Sequence, residues 1–438
     1  MTSIAELKTH GLILFASGKI LPALQLYDAI VAQHPMDYEA RLRVADCLAA
    51  LGQPEDADRV FRAVAWYTMK SGHPLTALVI AKIIEAAGRP ADDLLTGLVM
   101  HYGSESALVG NYAARIKLPE PDSTVTAPNL QAEPPADLLR AAADRAATCT
   151  DDFDEYPGAL HPLPLLSGLS EEAFHRVLST IVVRRMADGQ LAIREGEPGQ
   201  SFFLVATGKV RVFDIDGLGR ERDLAVLGEN SVFGEMALLS SQPRSASVGV
   251  VGEADLIELT RESLNSLADE LQQVATALHN FARERLLSNL MARSPLFRPF
   301  SKVQQRELLR RFTEHDVAAG TDIIHENDEG RGLFVVLSGE LEVFKGEDTA
   351  LASLRTGEVF GEMALIRGGA TSATVRALTP ATVLFLGKEY VERIVSGVPA
   401  IKEYLEGLTE NREIDTQLTL GTIDDMDEED DGSVIIMI

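Results

Sequence analysis

The sequence predicts a multidomain α+β chain: an N-terminal α-helical repeat, then two antiparallel β-roll domains of jelly-roll type with flanking helices. Three observations carry this. The hexapeptide Phe-Gly-Glu-Met-Ala-Leu stands at 233–238 and again at 360–365. Landmarks ahead of it recur at a fixed offset, with Gly189, Glu195, Gly208 and Phe213 each 131 residues before Gly320, Glu326, Gly339 and Phe344. In the first hundred residues Gly18, Ala23 and Tyr27 are followed 34 residues later by Gly52, Ala57 and Phe61. Recurrence of this kind marks duplicated structural units.

The 34-residue set suits helical hairpins. Glycine serves the turn, the small alanine lets two helices approach, and the aromatic fills the core one turn on. These types at this period resemble the tetratricopeptide repeat, with Pro35 where that motif often carries a proline. Gly72 and Ala77 keep the spacing of five, yet Gly72 follows Gly52 by only 20 residues, so a third unit departs from the pattern. Residues 1–116 are expected as this helical domain. Residues 117–162 hold Pro119, Pro121, Pro128, Pro134 and Pro135, with 3 basic and 9 acidic residues, and are expected as a flexible linker containing a short helix over 136–147.

Residues 163–291 and 292–410 are the two copies of the roll. Short apolar stretches at 202–205, 210–213, 334–337 and 341–344, punctuated by glycines, predict antiparallel strands. The offset falls from 131 to 127 between Phe213 and Phe233, placing a four-residue deletion in the hairpin around 214–219. Helices are expected over 170–181, 261–291, 303–312 and 390–408. Residues 411–438, with 1 basic and 9 acidic residues, are expected as an acidic disordered tail. Its apolar end at 433–438 offers a second reading, a strand added to a partner's sheet edge.

The formal charge of −26 argues against a nucleic-acid binder, and no stretch reaches the length of a membrane helix. Two cysteines, Cys47 and Cys149, suit a reducing compartment, so a soluble cytoplasmic protein is expected. The nine histidines show no metal spacing, and no nucleophile, Walker or dinucleotide motif occurs. No catalysis, metal or cofactor is therefore expected.

The chemistry lies in the repeated hexapeptide and its sequel. Gly234 permits a sharp turn, and the first amides of a helical turn after it favour an anion. Arg244 adds a guanidinium fork for a phosphate, while Glu235 suits a sugar hydroxyl. In the second copy Thr371 stands where the first has Arg244.

This segment resembles the phosphate-binding cassette of cyclic-nucleotide-binding domains, and the tandem resembles the regulatory subunits of cyclic-AMP-dependent protein kinase. The resemblance implies a β-roll with flanking helices and a first site made of Gly234, Glu235, Met236, Ala237, Arg244 and Ser245. In it Glu235 would take the ribose 2′-hydroxyl and Arg244 the cyclic phosphate, with the amides of Gly234 and Ala237 and the Ser245 hydroxyl completing the cradle. The second set is Gly361, Glu362, Ala364, Thr371 and Ser372. There the missing guanidinium is expected to cost about 2–5 kcal/mol, leaving a degenerate domain unless Arg367 supplies the charge. Within the family, threonine after the arginine favours cyclic GMP and a small residue suits cyclic AMP. Ser245 lies between, so cyclic AMP is the expected ligand and cyclic GMP the alternative. A helix within 261–291 would cap the base.

The linker lacks the paired arginines of a kinase-inhibitor segment, and the acidic C-terminus fits a DNA-binding helix badly. The expected protein is a receptor that couples nucleotide in the first roll to a protein partner on the helical domain, with a second copy of the chain as a further candidate partner. The alternative is an adaptor whose rolls no longer bind nucleotide.

Overall fold

A computed structural model describes the chain except residues 1, 111–112, 131–135, 149–155, 164, 216–218, 236–243, 245, 271, 347–348 and 429–438. The described residues form two compact units, Met1–Phe281 and Ala282–Ile438.

The first unit opens with a short strand β1 (Thr2–Ser3) and six helices: α1 (Ile4–Ala16), α2 (Ile20–Gln33), α3 (Tyr38–Ala50), α4 (Pro54–Lys70), α5 (Pro74–Ala86) and α6 (Asp92–Tyr102). Gly18, Gly52 and Gly72 turn the chain between them at φ of +77°, +75° and +95°, the left-handed region that glycine enters without a Cβ penalty. Ala23, Ala57 and Ala77 are buried between helices, and Tyr27 and Phe61 fill the core beside them. Cys47 belongs to this core; burial, chiefly, pushes its thiol up to about 12.

The segment expected as a flexible linker is, in its described part, packed on these helices. Strand β2 (Thr124–Val125) pairs with β1. Helix α7 (Leu138–Ala147) buries Leu138, Ala142, Ala143 and Ala146. Arg41, itself buried, closes its C-terminus by donating to the carbonyls of Arg145 and Ala146 at 2.7 and 2.9 Å. Prolines break regular structure, but they do not prevent an Ala-rich amphipathic helix between them from docking.

After α8 (Glu171–Thr180) come β3 (Val182–Met186), β4 (Leu191–Ile193), β5 (Ser201–Ile215), β6 (Glu221–Leu227), β7 (Val232–Phe233) and β8 (Ser247–Thr260), all antiparallel. Their order is β3-β8-β5-β6, with β4 on β8 and β7 on β5. Helices α9 (Arg261–Glu270) and α10 (Gln272–Arg293) follow. The apolar stretches at 202–205 and 210–213, expected as two strands, are one strand of 15 residues. Gly208 is a kink inside it at φ +79°, with register shifts on either side, because the backbone of Glu253 crosses too closely for any Cβ.

The first part of β5, residues 201–206, is buried on both faces, which explains its apolar run at 202–206. Phe203, Val205 and Val210 face the interior of the roll with Val248, Val250 and Leu256 of β8. Phe202, Leu204 and Ala206, with Ile257 and Leu259, join the continuous core of the helical domain. A polar seam runs beside that apolar contact. Arg185 of β3 holds Asp46 of α3 through two bonds of 2.9 and 3.2 Å and Asp255 of β8 through one of 2.9 Å. Arg43 pairs with Asp46 and with Glu253. His73 at the start of α5 lies 2.7 Å from both the Glu229 carboxylate and the Ile116 carbonyl.

The second unit repeats the roll. Helix α11 (Lys302–Leu309) precedes β9 (Thr313–Val317), β10 (Asp322–Ile324), β11 (Gly332–Ser338), β12 (Leu341–Lys345), β13 (Thr349–Leu354), β14 (Val359–Phe360), helix α12 (Glu362–Arg367), β15 (Thr374–Ala377) and β16 (Ala381–Gly387). Two antiparallel sheets result, β10-β15-β12-β13 and β14-β11-β16-β9. Helices α13 (Lys388–Gly397) and α14 (Pro399–Glu428) close the chain. The expected disordered tail is thus helical as far as Glu428, and 433–438 lie outside the described residues.

Candidate nucleotide site

The same strand pair presents the cassette in both copies. Phe203 of β5 faces Phe233 of β7 in register, their rings stacked 5.2 Å apart; Phe334 and Phe360 repeat this at 5.0 Å. Immediately after each phenylalanine the chain turns at a left-handed glycine, Gly234 at φ +75° and Gly361 at +82°. A Cβ at Gly234 would meet Arg244 Nη1 and Ile193 Cδ1, both at 2.8 Å, but these are the ends of flexible side chains, so it is the left-handed backbone that favours glycine here.

In the first domain Glu235 follows the turn and is 7% exposed. Met236, Ala237 and Ser245 lie outside the described residues. Arg244 is held at its backbone by the turn ahead of β5: Gly196 donates to its carbonyl at 2.8 Å, and its own amide donates to Glu197 O at 2.9 Å. Its Nη1 donates to the Gly234 carbonyl at 2.8 Å and its Nη2 to the Ser201 carbonyl at 2.6 Å. Burial lowers the pKa of this guanidinium from its ordinary value, with Glu235 opposing; arginine stays charged even so. Among the described residues no carboxylate forms an ion pair with it; its hydrogen bonds go to neutral carbonyls, while the carboxylates of Glu235, Glu258 and Glu197 act on its charge from farther off. A polar cavity of about 220 Å³ lies beside it, lined among others by Arg184, Glu197, Ser201 and Glu258. The structure therefore brings Gly234, Glu235 and Arg244 together. Gly196, Glu197 and Ser201 hold Arg244; from the sequence Gly196 is legible only as a glycine that punctuates the roll, and Glu197 and Ser201 only through the Glu-Pro-Gly turn at 197–199.

Thr371 occupies the Arg244 station in the second domain. Asn327 donates to its carbonyl at 2.9 Å and its amide donates to Asp328 O at 2.8 Å, each partner 131 residues beyond its counterpart in the first domain. The Thr371 hydroxyl turns back and donates to the His325 carbonyl at 2.5 Å. Arg367, weighed from the sequence as a substitute cation, pairs instead with Glu413 of α14. Glu362 is 1% exposed, and Arg412 of α14 donates to its Oε1 at 2.7 Å. Ala364 is buried on the short helix α12, and the Ser372 hydroxyl points to Met363 Sδ at 3.5 Å. Arg412 was missed from the sequence because it stands alone among acidic residues in a segment read as a tail.

Comparison with known proteins matches residues 183–270 and 314–397 to the cyclic nucleotide-binding domain, and residues 14–65 to the tetratricopeptide repeat. The chain is 31% identical over 236 residues to a cAMP-dependent protein kinase regulatory subunit of Yarrowia lipolytica, covering 53% of this chain and 59% of that protein. It is 41% identical over 119 residues to a cyclic AMP receptor protein of Thermus thermophilus, covering 27% of this chain and 54% of that one. The chain thus spans little more than half the length of these relatives. Among solved structures, the regulatory domain of Toxoplasma gondii PKA with cAMP aligns over 56% of this chain and 92% of its own at 22% identity, with a TM-score of 0.27.

Proposed function

We propose that this chain, in which two cyclic nucleotide-binding domains follow a tetratricopeptide-repeat region, is a cyclic-AMP receptor whose first domain binds the nucleotide and whose helical domain carries the response to a protein partner. The observation that supports this most is the half-buried Arg244 guanidinium, charged, in no ion pair among the described residues and hydrogen-bonded to two carbonyls between the turn at Gly234 and the start of β5. A cyclic phosphate would give that charge its counter-ion, and Glu235 would accept from the ribose hydroxyl. The regulatory-subunit and receptor names of the relatives agree with this chemistry.

A route from ligand to partner follows from the same contacts. Drawing Arg244 toward a phosphate frees the Ser201 carbonyl. Its neighbour Gln200 accepts from the first amide of α9, Arg261, at 2.7 Å. The cassette and the start of α9 are thus joined through two consecutive residues. Strand β8, which ends at α9, also carries Asp255 of the seam with the helical domain. Nucleotide acts by favouring the arrangement that binds it better. The cytoplasm, where cyclic AMP is found, is part of this proposal, as is a regulatory and non-catalytic role.

The test is titration calorimetry of the full chain with cyclic AMP and cyclic GMP, beside Arg244→Ala. We expect cyclic AMP to bind more tightly than cyclic GMP. The variant should lose about 30-fold or more, the effect of removing one partner of a buried charge pair. Absence of heat and of any melting shift with both nucleotides would favour the adaptor reading. Hydrogen exchange on adding cyclic AMP tests the coupling, which predicts altered protection in 261–270 and in the helical domain.

A further inference from the structure

We propose that Glu229 is a regulatory clamp through which the helical domain sets the affinity of the first nucleotide site. Glu229 lies in the turn between β6 and β7, five residues before Gly234. Its carboxylate is taken up by the helical domain: Oε1 lies 2.7 Å from His73 Nδ1, and Oε2 lies 3.4 Å from Arg115 Nη1. His73 is 3% exposed, and its other nitrogen faces the Ile116 carbonyl at 2.7 Å. The Tyr38 hydroxyl stands 3.2 Å from Nδ1, with its ring centroid 4.8 Å from that of the imidazole. The receptor for Glu229 is built into the helical domain. Residues 114–116 cross the turn between α4 and α5 so closely that a Cβ on Gly72 would lie 2.7 Å from Arg115 Cβ. The Ile116 amide donates to the Ser71 carbonyl there at 2.9 Å. Gly72, which breaks the 34-residue spacing, admits this crossing.

The second roll shows what this carboxylate is not for. In the first roll the turn closes through backbone alone: Asn230 donates to the Val205 carbonyl and Val205 to that of Ser231, each at 2.9 Å. In the second, Gly357 donates to the Val336 carbonyl at 2.8 Å and Val336 to that of Glu358 at 2.9 Å. The turn is the same, yet the residue 127 beyond Glu229 is Thr356, which is exposed. The turn therefore folds without an acid, and the acid of the first copy serves its contact with the helical domain. The lever from that contact is short. From Glu229 the chain enters β7, where Phe233 stacks on Phe203, and then reaches Gly234, whose carbonyl accepts from Arg244. The clamp steadies the arrangement in which the Gly234 and Ser201 carbonyls engage this guanidinium. A cyclic phosphate competes for the same guanidinium, so nucleotide and clamp oppose one another. Such coupling is reciprocal: a protein partner that draws His73 or Arg115 away raises nucleotide affinity, and nucleotide loosens the clamp by the same factor.

This inference rests on the reading of the first domain as a nucleotide site, and the test separates the two. The unaltered full chain is compared with Glu229→Gln, His73→Gln, their double variant and the control Thr356→Ala. Without nucleotide, Glu229→Gln should lose hydrogen-exchange protection at 230–235 and 113–118, and Thr356→Ala should lose none there. In calorimetry each single variant should bind cyclic AMP at least 5-fold more tightly. The double variant should gain no more than the tighter single, because both remove one contact. A residue that only supports the fold would lower the melting temperature without tightening binding. Unchanged or weakened affinity in both single variants, beside an unaltered chain that binds, overturns the inference; so do gains that simply add in the double variant. If the unaltered chain binds no cyclic AMP, the reading of the first domain fails and exchange alone decides on the clamp. Protection lost at 230–235 in Glu229→Gln then sustains its hold on the cassette turn, and unchanged protection overturns it.

Discussion

Gly208 and Gly252 share a left-handed backbone, at φ +79° each, yet they stand in different surroundings. A Cβ at Gly208 would lie 2.0 Å from the Glu253 carbonyl oxygen; at Gly252 it would meet nothing within 4 Å. Gly252→Ala should therefore cost only the conformational strain, about 1–2 kcal/mol. Gly208→Ala should cost clearly more, since backbone must also move. Urea denaturation of the two variants separates the contributions, and equal losses would show that the crossing at 253 relaxes freely. Single positions were also where the sequence was most informative. The exchange of Arg244 for Thr371 was legible because a duplicated motif supplies its own reference, and both residues do occupy one backbone station. Arg412 and the unpartnered Glu362 Oε2 were not legible. Their meeting is set by the path of a helix that the local acidic composition argued against.

At the level of elements, the pairing of β3 and β8 with α3 rests on Arg185. Asp255 is 3% exposed and Asp46 9%, and both face this one guanidinium. Burial alone would lower the Arg185 pKa, but the Asp46 and Asp255 carboxylates outweigh it and raise it. Arg185→Ala would leave Asp255 without its cation and Asp46 with Arg43 alone in a poorly solvated seam. We expect a loss of about 2 kcal/mol, discounted from the fully buried case because the arginine is partly exposed. Arg185→Met would fare little better, since the charges left behind, not the lost volume, set the cost.

The pair joining β10 and β15 gives a pH signature. Hydrogen bonding from Arg376, chiefly, holds the Asp322 carboxyl below its ordinary value. A depressed acid contributes stability that is complete above its unfolded pKa, about 4, and is lost as pH falls through the lower folded value. Asp322→Asn should thus destabilise by up to about 1 kcal/mol at pH 7 and by progressively less as pH falls through the folded value, as read from melting temperatures. A difference that persisted in acid would mean the effect is steric. Strand limits show how far element-level reading went. Apolar runs located β5, β11 and β12 correctly, but a glycine inside a strand looks the same in sequence whether it ends the strand or kinks it. Only the crossing of Glu253 distinguishes the two.

For the whole molecule, one hydrophobic core runs from Ile4 to Phe281, and the second roll holds a separate one around Val336, Phe360 and Val383. Two cooperative transitions are expected in scanning calorimetry, the larger from the first unit. Cyclic AMP at a hundred times its dissociation constant should stabilise that transition alone, by about 2.7 kcal/mol. Movement of both would place a second cyclic-nucleotide site in the chain. The order of helical repeat, roll and roll was legible from spacing, because duplicated units repeat their punctuation. The union of the helical domain with the first roll was not, because the residues that join them are alternate positions of a strand that reads simply as apolar.

That two-sided strand bears on any attempt to study the nucleotide domain in isolation. Cutting the chain at residue 163 would remove the part of the cover on Phe202, Leu204, Ile257 and Leu259 that Leu75 and Leu78 supply and leave a greasy plate in water. Such a fragment should stick to itself and light up a dye such as anilinonaphthalene sulfonate, while the intact chain stays dark. A weak or absent signal from that fragment in a ligand screen would then report the missing cover and say nothing of the intact chain.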